Sequence, residues 1–344
     1  MKIAIHHTSG SFSDFWIKYC EEKNIEYKLV CCYDSDIIAQ LSGCKGLMWN
    51  WSHVDYKSVL FARQLIYSLD KKGIKTFPSS DTCWHFDDKI GQKYLFDAIG
   101  APFVKSYIFY SKSDAIKWLH QTTLPKVFKL RCGAAAHNVR LVRTKELGRK
   151  LINKAFGSGF QAASSWNELK DRAWQLRKDK GKKAIIKFFK GVGRLFIQTD
   201  FQKFSHIQKG YIYFQDFIPY NNYDTRLVVI GNRCFGMRRY VRKNDFRASG
   251  SGLMDFDPEL IDKNAIKIAF EVAKIINAQC LAFDFVIDNK EPKIIEMSYS
   301  FPAHETYKHY QGYYDNDLKW HQTQFNPSYF IIEDFINEIQ NKYK

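Results

Sequence analysis

The chain of 344 residues has no long apolar run. Nothing in it approaches the roughly 18 consecutive apolar residues of a membrane-spanning helix, and the opening MKIAIHHTSGS lacks the apolar centre of a secretory signal. Both absences predict a soluble protein that can still touch a membrane surface. The eight cysteines (Cys20, Cys31, Cys32, Cys44, Cys83, Cys132, Cys234 and Cys280) form no CxxC pair and show no zinc-ligand spacing. Reduced, packed thiols and a cytoplasmic location are expected. No GxGxxG follows the first apolar run, so the N-terminal region carries no dinucleotide fingerprint. RNP, KH and zinc-finger patterns are missing too, as are repeats and low-complexity tracts. A non-catalytic nucleic-acid-binding protein therefore has only charge in its favour. Acids are outnumbered: 52 Lys and Arg against 36 Asp and Glu give a net charge of +16. The balance favours anionic partners such as nucleotides, nucleic acid, acidic glycans or an anionic membrane surface.

Aromatic residues are plentiful, at 16% of the chain with 28 Phe and 20 Tyr, enough to fill the cores of the two or three subdomains expected at this length. Residues 1–80 alternate short apolar runs (KIAI, YKLVCC, GLMWNW, IKTF) with helical patterns at 12–22, 34–41 and 56–72. That alternation predicts a small, largely parallel α/β unit. The segment PSSDTCWHFDDK reads as a loop entering a helix over 88–98, with Asp87 and Asp88 as first-turn acids, and Gly100 and Pro102 end that helix. A strand and a helix at 112–120 precede PKVFKLRCGAAAHNVRLV, in which a strand carrying Lys129 leads into the small-residue loop Gly133 to Ala136. Small residues let backbone amides approach a phosphate, and the lysine supplies charge. An ordinary hairpin turn with an exposed lysine is the alternative. Residues 144–197 look irregular apart from a polar helix at about 166–179. In 178–197 basic and apolar residues interleave, as they do on surfaces that meet membranes or polyanions; a twisted hairpin over a nucleotide and a solvated basic face are equally open.

From 211 the pattern is strand-like: YIYFQDFIP, then a hairpin DTRLVVIGNRCFGMRRYVR turning at Gly231 and Asn232. Its ends carry Arg226, Arg238 and Arg239, suited to bidentate phosphate or carboxylate capture. The loop NDFRASGSG, a helix over 258–277 and a C-terminal helix over 329–342 complete this half. The stretch 281–304 reads as two strands joined by a five-residue loop, Asp288 to Pro292. With Ile287 opposite Lys293, Asp284 faces Glu296 on one side of the hairpin, and Ser298 follows on the same face. Opposed like charges destabilise a sheet, so a cation is expected between them. A hard divalent ion such as magnesium, held by one or two carboxylates with substrate phosphates, fits that place. Two acids on a solvated face are the alternative.

Taken together, the chain offers a helix-start lysine, a strand lysine before a small-residue loop, a QDFIP strand, an Asp-x-Arg pair, a basic glycine loop and paired acids. This order resembles the ATP-grasp superfamily and, within it, the RimK-type carboxylate-amine ligases. The likeness runs from about 86 to 305 and is carried by DDKIGQKYLFDAIGAP, VFKLRCGAAAHNVRLV, YFQDFIP, YDTRLVVIGNRCFGMRR, NDFRASGSG and AFDFVIDNKEPKIIEMS. It implies an α/β and α+β chain with the ATP-grasp fold: a Rossmann-like pre-ATP-grasp α/β domain at 1–85, a central lobe with a basic insertion at 86–212, a C-terminal lobe with the metal site at 213–328, and a helix at 329–344. ATP and Mg2+ are the implied cofactors. Lys89 and Lys129 would contact the phosphates, Gly133 to His137 would cover them, and Gln215, Asp216, Phe217 and Ile218 would line the adenine pocket. Arg226, Arg239 and Arg247 resemble partners of the transferred phosphate, and Asp284, Glu296 and Ser298 match the metal ligands.

The chain departs from the family pattern in three places: Ser298 stands where Asn is usual, GAAAH replaces a glycine-rich loop, and 144–210 is longer than the corresponding lid. None removes an essential charge. The implied activity is ATP-dependent amide formation through an acyl phosphate, on a glycan, peptide or amino-acid acceptor, with His304 a candidate to deprotonate the amine. An ATP-grasp kinase of a polyol or sugar phosphate is the second reading.

Overall fold

The computed structural model describes residues 1–133, 139–161, 206–243, 245–302 and 306–342. The expected helix at 166–179, the basic run 178–197, His137 and His304 lie outside the described residues.

Four short parallel strands, β1 (Lys2–His6), β2 (Glu26–Val30), β3 (Gly46–Trp49) and β4 (Lys75–Phe77), form the first sheet in the order β2-β1-β3-β4. In β1 Ile3, Ala4 and Ile5 are all fully buried, as expected for a parallel strand covered on both faces. The helices Phe12–Glu22 and Tyr56–Lys71 follow the expected periodicity, each started by a side-chain cap, Ser11 to the amide of Ser13 and Asp55 to the amides of Lys57 and Ser58. The last described helix, Pro327–Lys342, returns to this sheet. Its Tyr329 Oη donates to Glu22 at 3.0 Å, its Glu338 pairs with Lys75, and its Phe335 ring lies 2.5 Å from where a Gly46 Cβ would stand. Glycine at 46 is what lets helix and strand approach so closely.

The second sheet is antiparallel: β5 (Ser106–Phe109), β6 (Lys126–Lys129), β7 (Arg140–Val142) and β8 (Ile212–Asp216), in the order β5-β8-β6-β7. Two helices, Lys112–Gln121 and Lys145–Ala155, enclose a core of their own with it, in which Leu119, Phe128, Leu151, Ile152 and Phe214 meet. The second of these helices falls in the stretch that reads as irregular. Thr144 caps it, and Gly148, Leu151, Ile152 and Ala155 make its buried face. The apolar stripe is narrow, and its lysines and arginine mask the period.

The third sheet runs β13 (Glu291–Ser298), β12 (Cys280–Asp288), β9 (Tyr223–Ile230), β10 (Arg233–Tyr240), β14 (Gly312–Asp315) and β15 (Trp320–Gln322), with β11 (Met254–Asp255) beside β10. The expected helix over 258–277 is two pieces, a 3-10 turn Pro258–Leu260 and a helix Lys263–Ile276, because Asp262 caps a fresh start at the amide of Asn264. The β12-β13 connection also differs from expectation. Asp288 pairs with Glu291, so the turn has two residues, Asn289 and Lys290, both left-handed at φ 49° and 72°. This is the conformation that matches the twist of a two-residue hairpin. Ile287 therefore faces Pro292 rather than Lys293, and a one-residue shift at Ile295 restores the register, so that Asp284 does pair with Glu296.

One continuous core joins the first and third sheets, while the second sheet keeps its separate one. Among the described residues no helix is long and apolar enough to cross a membrane.

Candidate active site

A row of charge crosses the third sheet. Met237 on β10 pairs with Arg226 on β9, Arg226 with Asp284 on β12, and Asp284 with Glu296 on β13, so these side chains share one face. Two residues along, on the same face, Arg239 pairs with Asp224. The result is a buried four-member network. Arg226 donates Nε and Nη2 to the two oxygens of Asp284 at 2.7 and 2.8 Å, and Arg239 donates to both oxygens of Asp224 at 2.6 and 2.7 Å and to Asp284 at 2.8 Å. Burial alone would push the Asp284 carboxyl up; Arg226 and Arg239 outweigh it and hold the group well below the usual carboxylate range. The cation expected between the acids is thus supplied in part by arginine.

Lys89 opens the helix Lys89–Ile99, which is clamped to β13 by Gln92: its Nε2 donates to the Met297 carbonyl at 2.9 Å and its Oε1 accepts from the Met297 amide at 3.1 Å. The clamp delivers the Lys89 ammonium to Glu296 at 3.0 Å and to the Gly133 carbonyl at 2.9 Å. Burial opposes the Lys89 charge, yet Glu296 and Asp87 more than offset it and raise its pKa. Asp88 caps this helix at the amide of Gly91. Asp87 is not a first-turn acid: its backbone is left-handed (φ 52°), its carboxylate accepts the Gly133 amide at 2.8 Å, and it lines the cleft.

Lys129, at the end of β6, is 7% exposed, and its ammonium makes no hydrogen bond or ion pair with any described residue. Burial lowers its pKa to about 8, against the pull of Glu296 and with a further push from Lys89. It is the one lysine or arginine of the cleft wall without a partner among the described residues.

These groups line a cleft of about 720 Å³ between the second and third sheets, within the size range of small-molecule sites. Gln215, Asp216, Phe217 and Ile218 form its far wall. Gln215 is held by Ser106 Oγ at 3.1 Å, and Asp216 pairs with Lys126 at 2.6 Å. Arg247, on the loop after β10, is forked with Asp245 at 2.8 to 3.1 Å and also borders the cleft. Ser298 borders it too, with its hydroxyl donating to the Ser300 carbonyl at 2.6 Å.

Residues 184–315 match the family model for the RimK-like ATP-grasp domain. The chain carries a RimK-like ATP-grasp domain. Solved ATP-grasp structures superpose on most of it. D-cycloserine synthetase DcsG aligns with a TM-score of 0.59 at 10% identity, covering 98% of this chain and all of that one. An ATP-grasp RimK domain protein from Sphaerobacter thermophilus aligns at 0.52 and 12% identity over 86% and 90%. D-alanine–D-alanine ligase from Bacillus anthracis, complexed with ATP, aligns at 0.55 and 11% identity over 99% of both chains. At these identities the likeness establishes the fold: an ATP-grasp pair of lobes preceded by a Rossmann-like α/β unit. Among curated proteins no sequence match is found.

The acids of the ATP-grasp cleft fit a hard divalent cation. A carboxylate has about four lone-pair positions; Asp284 spends three on arginine N–H groups and Glu296 one on Lys89. Ser298 retains one lone pair beyond the one that accepts the Ser300 amide at 3.2 Å. Among the described residues no group of three or more His, Cys, Asp or Glu side chains could hold a metal by itself. An ion here would complete its shell with other oxygens, such as phosphate. Asp224, Asp87 and His53 border the cleft without having been singled out as site residues in the sequence; Asp87 was read only as a first-turn acid. The Asp-x-Arg spacing pointed to the first, a turn acid beside a helix start hinted at the second, and nothing local signals the third.

Proposed function

We propose that this chain is a magnesium- and ATP-dependent carboxylate-amine ligase that makes an amide through an acyl phosphate. The observation that carries the reading is Lys129: a buried ammonium without a partner among the described residues, opposite paired acids, in a cleft whose other described cations are already neutralised. A buried unpaired charge is costly, and an anion such as a polyphosphate relieves that cost. Lys89 and Lys129 hold the phosphates, residues 215–218 receive the adenine, and Arg226, Arg239 and Arg247 steady the charge that develops on the transferred group. Asp284, Glu296 and Ser298 would hold Mg2+, which would supply positive charge to neutralise the phosphates. No covalent protein nucleophile takes part. The domain division at 85, 212 and 328 and a cytoplasmic location belong to the same reading; the eight cysteines are all free, which supports the second. An anionic acceptor meeting the basic run 178–197 is supported by sequence alone.

The test combines binding with trapping. ATP with magnesium should raise the melting temperature, since a ligand selective for the folded state stabilises it by mass action. A panel of amino acids, uronic acids and glycan acids, incubated with enzyme, ATP, magnesium and hydroxylamine, should yield a hydroxamate together with ADP and inorganic phosphate. A stable phosphoester with no hydroxamate from any acid would make the chain a kinase instead. Glu296→Gln separates the metal from the fold. Turnover should fall by more than the roughly tenfold to hundredfold lost when a partner of a metal ligand is removed. Opposed acids suggest that the change relieves repulsion, but Glu296 is already paired with buried Lys89. A small loss of stability is therefore expected, limited by the 33% exposure of Glu296. Full activity in this variant would remove the metal from the proposal.

A further inference from the structure

The cleft takes one wall from outside the ATP-grasp strands. β3 runs into the loop 50–55, and this loop is pinned just beyond Ser298: Tyr299 Oη donates to the Trp51 carbonyl at 2.6 Å, and Asn50 Nδ2 donates to Ser300 Oγ at 3.3 Å. The buried Trp51 ring meets Phe86 edge-on at 4.8 Å, and Phe86 meets the His53 ring edge-on at 5.5 Å. His53 is thereby fixed in the cleft wall with Asp87, Lys89 and Glu296. Its ring nitrogens make no hydrogen bond among the described residues, and the ring borders the cleft.

The charged groups that face His53 come from two directions. Asp87 and Lys89 approach from the turn and helix that follow Phe86, and Glu296 from β13. Burial is the largest influence and lowers the imidazole pKa; Lys89 adds to the lowering, and Asp87 and Glu296 oppose it. The ring is therefore neutral at pH 7 and has an acceptor nitrogen, while Asp87 stands by to stabilise the cation that forms when it takes up a proton.

We infer that His53 is the general base of the amide-forming step, an assignment that rests on the ligase reading above. The amine nitrogen bonds to the acyl-phosphate carbon, the carbonyl electron pair moves to oxygen, and the proton released by nitrogen passes to the acceptor nitrogen of His53. Collapse of the tetrahedral species breaks the bond from carbon to the phosphate oxygen. The departing phosphate takes the proton from the imidazolium, which returns the ring to its neutral form. Acyl phosphate and amine thus become amide and hydrogen phosphate, with every proton accounted for. Positioned proton transfer of this kind is worth about 10²–10⁴ in rate.

The experiment compares two nucleophiles on one preparation, so that a partly folded fraction cancels. Both nucleophiles lose an N–H proton on bonding to carbon, but the adduct of the weakly basic hydroxylamine is acidic enough to give its proton to water, whereas the adduct of an amino-acid amine holds its proton and needs a positioned base. With the acid that gives hydroxamate in the parent, His53→Gln should lower the ratio of amide to hydroxamate by about 10² and remove the lower limb of the pH profile for amide formation. Added imidazole should restore amide formation in His53→Ala. An equal loss of both products, or no loss of either, overturns the assignment of His53 while the ligase reading stands. Absence of hydroxamate from the parent with every acid overturns both.

Discussion

Lys129→Met is expected to abolish measurable ATP binding at micromolar nucleotide and to cut turnover by about two to three orders of magnitude, the loss typical of removing one preorganised charge from a reacting group. The same change should raise the melting temperature of the ligand-free protein at pH 7. The direction follows from the charge. Burial holds the folded pKa at about 8, below the ordinary lysine value of 10.5. Between those pH values the unfolded chain binds more protons than the folded one, so this group's contribution becomes more favourable as pH rises. Below about 8 the penalty of a buried ammonium is fully present, and methionine removes it at similar volume. Calorimetric titration with ATP and a thermal melt of the ligand-free protein read the two effects separately. Binding by the parent at pH 8.5 should also take up protons, because an anion beside Lys129 favours its charged form. Parental ATP affinity in Lys129→Met would sink the assignment.

Arg239→Ala should be the most destabilising single change in the cleft. Arg239 is 6% exposed and bridges Asp224 and Asp284. Its loss leaves Asp224 without its bidentate partner in a buried site, and breaking such pairs costs about 3–5 kcal/mol, a large share of the roughly 5–15 kcal/mol that holds a domain folded. The pH dependence should shift as well. In the parent, Asp284 titrates below its unfolded value, so its contribution is present at neutral pH and fades as pH falls through the acid range, while burial already holds the Asp224 carboxyl above its usual value. In the variant, Asp224 stripped of its arginine should rise further, so acidification from pH 7 towards 5 should favour the folded variant relative to the parent. Urea titrations at both pH values check this. A variant that matches the parent in midpoint and in slope against pH would show the network to be energetically neutral.

The paired acids were legible because a strand alternates faces, and Asp284 and Glu296 sit in two apolar runs at compatible spacing. Yet the route to the pair contained two errors that cancel. The turn is one type of hairpin shorter than expected, since Asn289 and Lys290 adopt left-handed backbones without glycine, and the shift at Ile295 takes up the difference. A turn made by Asn-Lys carries a weak local signal. Lys89 and Lys129 were legible from their places at a helix start and before a small-residue loop. That only one of them lacks a partner among the described residues is a matter of three-dimensional charge pairing, which spacing cannot express. His53 is further out of reach. It enters the cleft because Trp51 and Tyr299, 248 residues apart, share a hydrogen bond. Its own surroundings in sequence, NWSHVD, look like an ordinary loop.

The return of the helix Pro327–Lys342 to the first sheet also sets the order in which the molecule can be assembled. Lys75 meets Glu338 across 263 residues, and Glu22 meets Tyr329 across 307. On the ribosome, the first four strands emerge long before the segment that covers them exists, and their apolar side waits while the residues between them are made. Contacts so distant in sequence form slowly, and uncovered apolar surface invites association with other chains in the interval. The second sheet, with its local helices and separate core, has no such delay. Chaperone dependence in this protein should therefore track the completion of the helix Pro327–Lys342, not the emergence of the ATP-grasp strands.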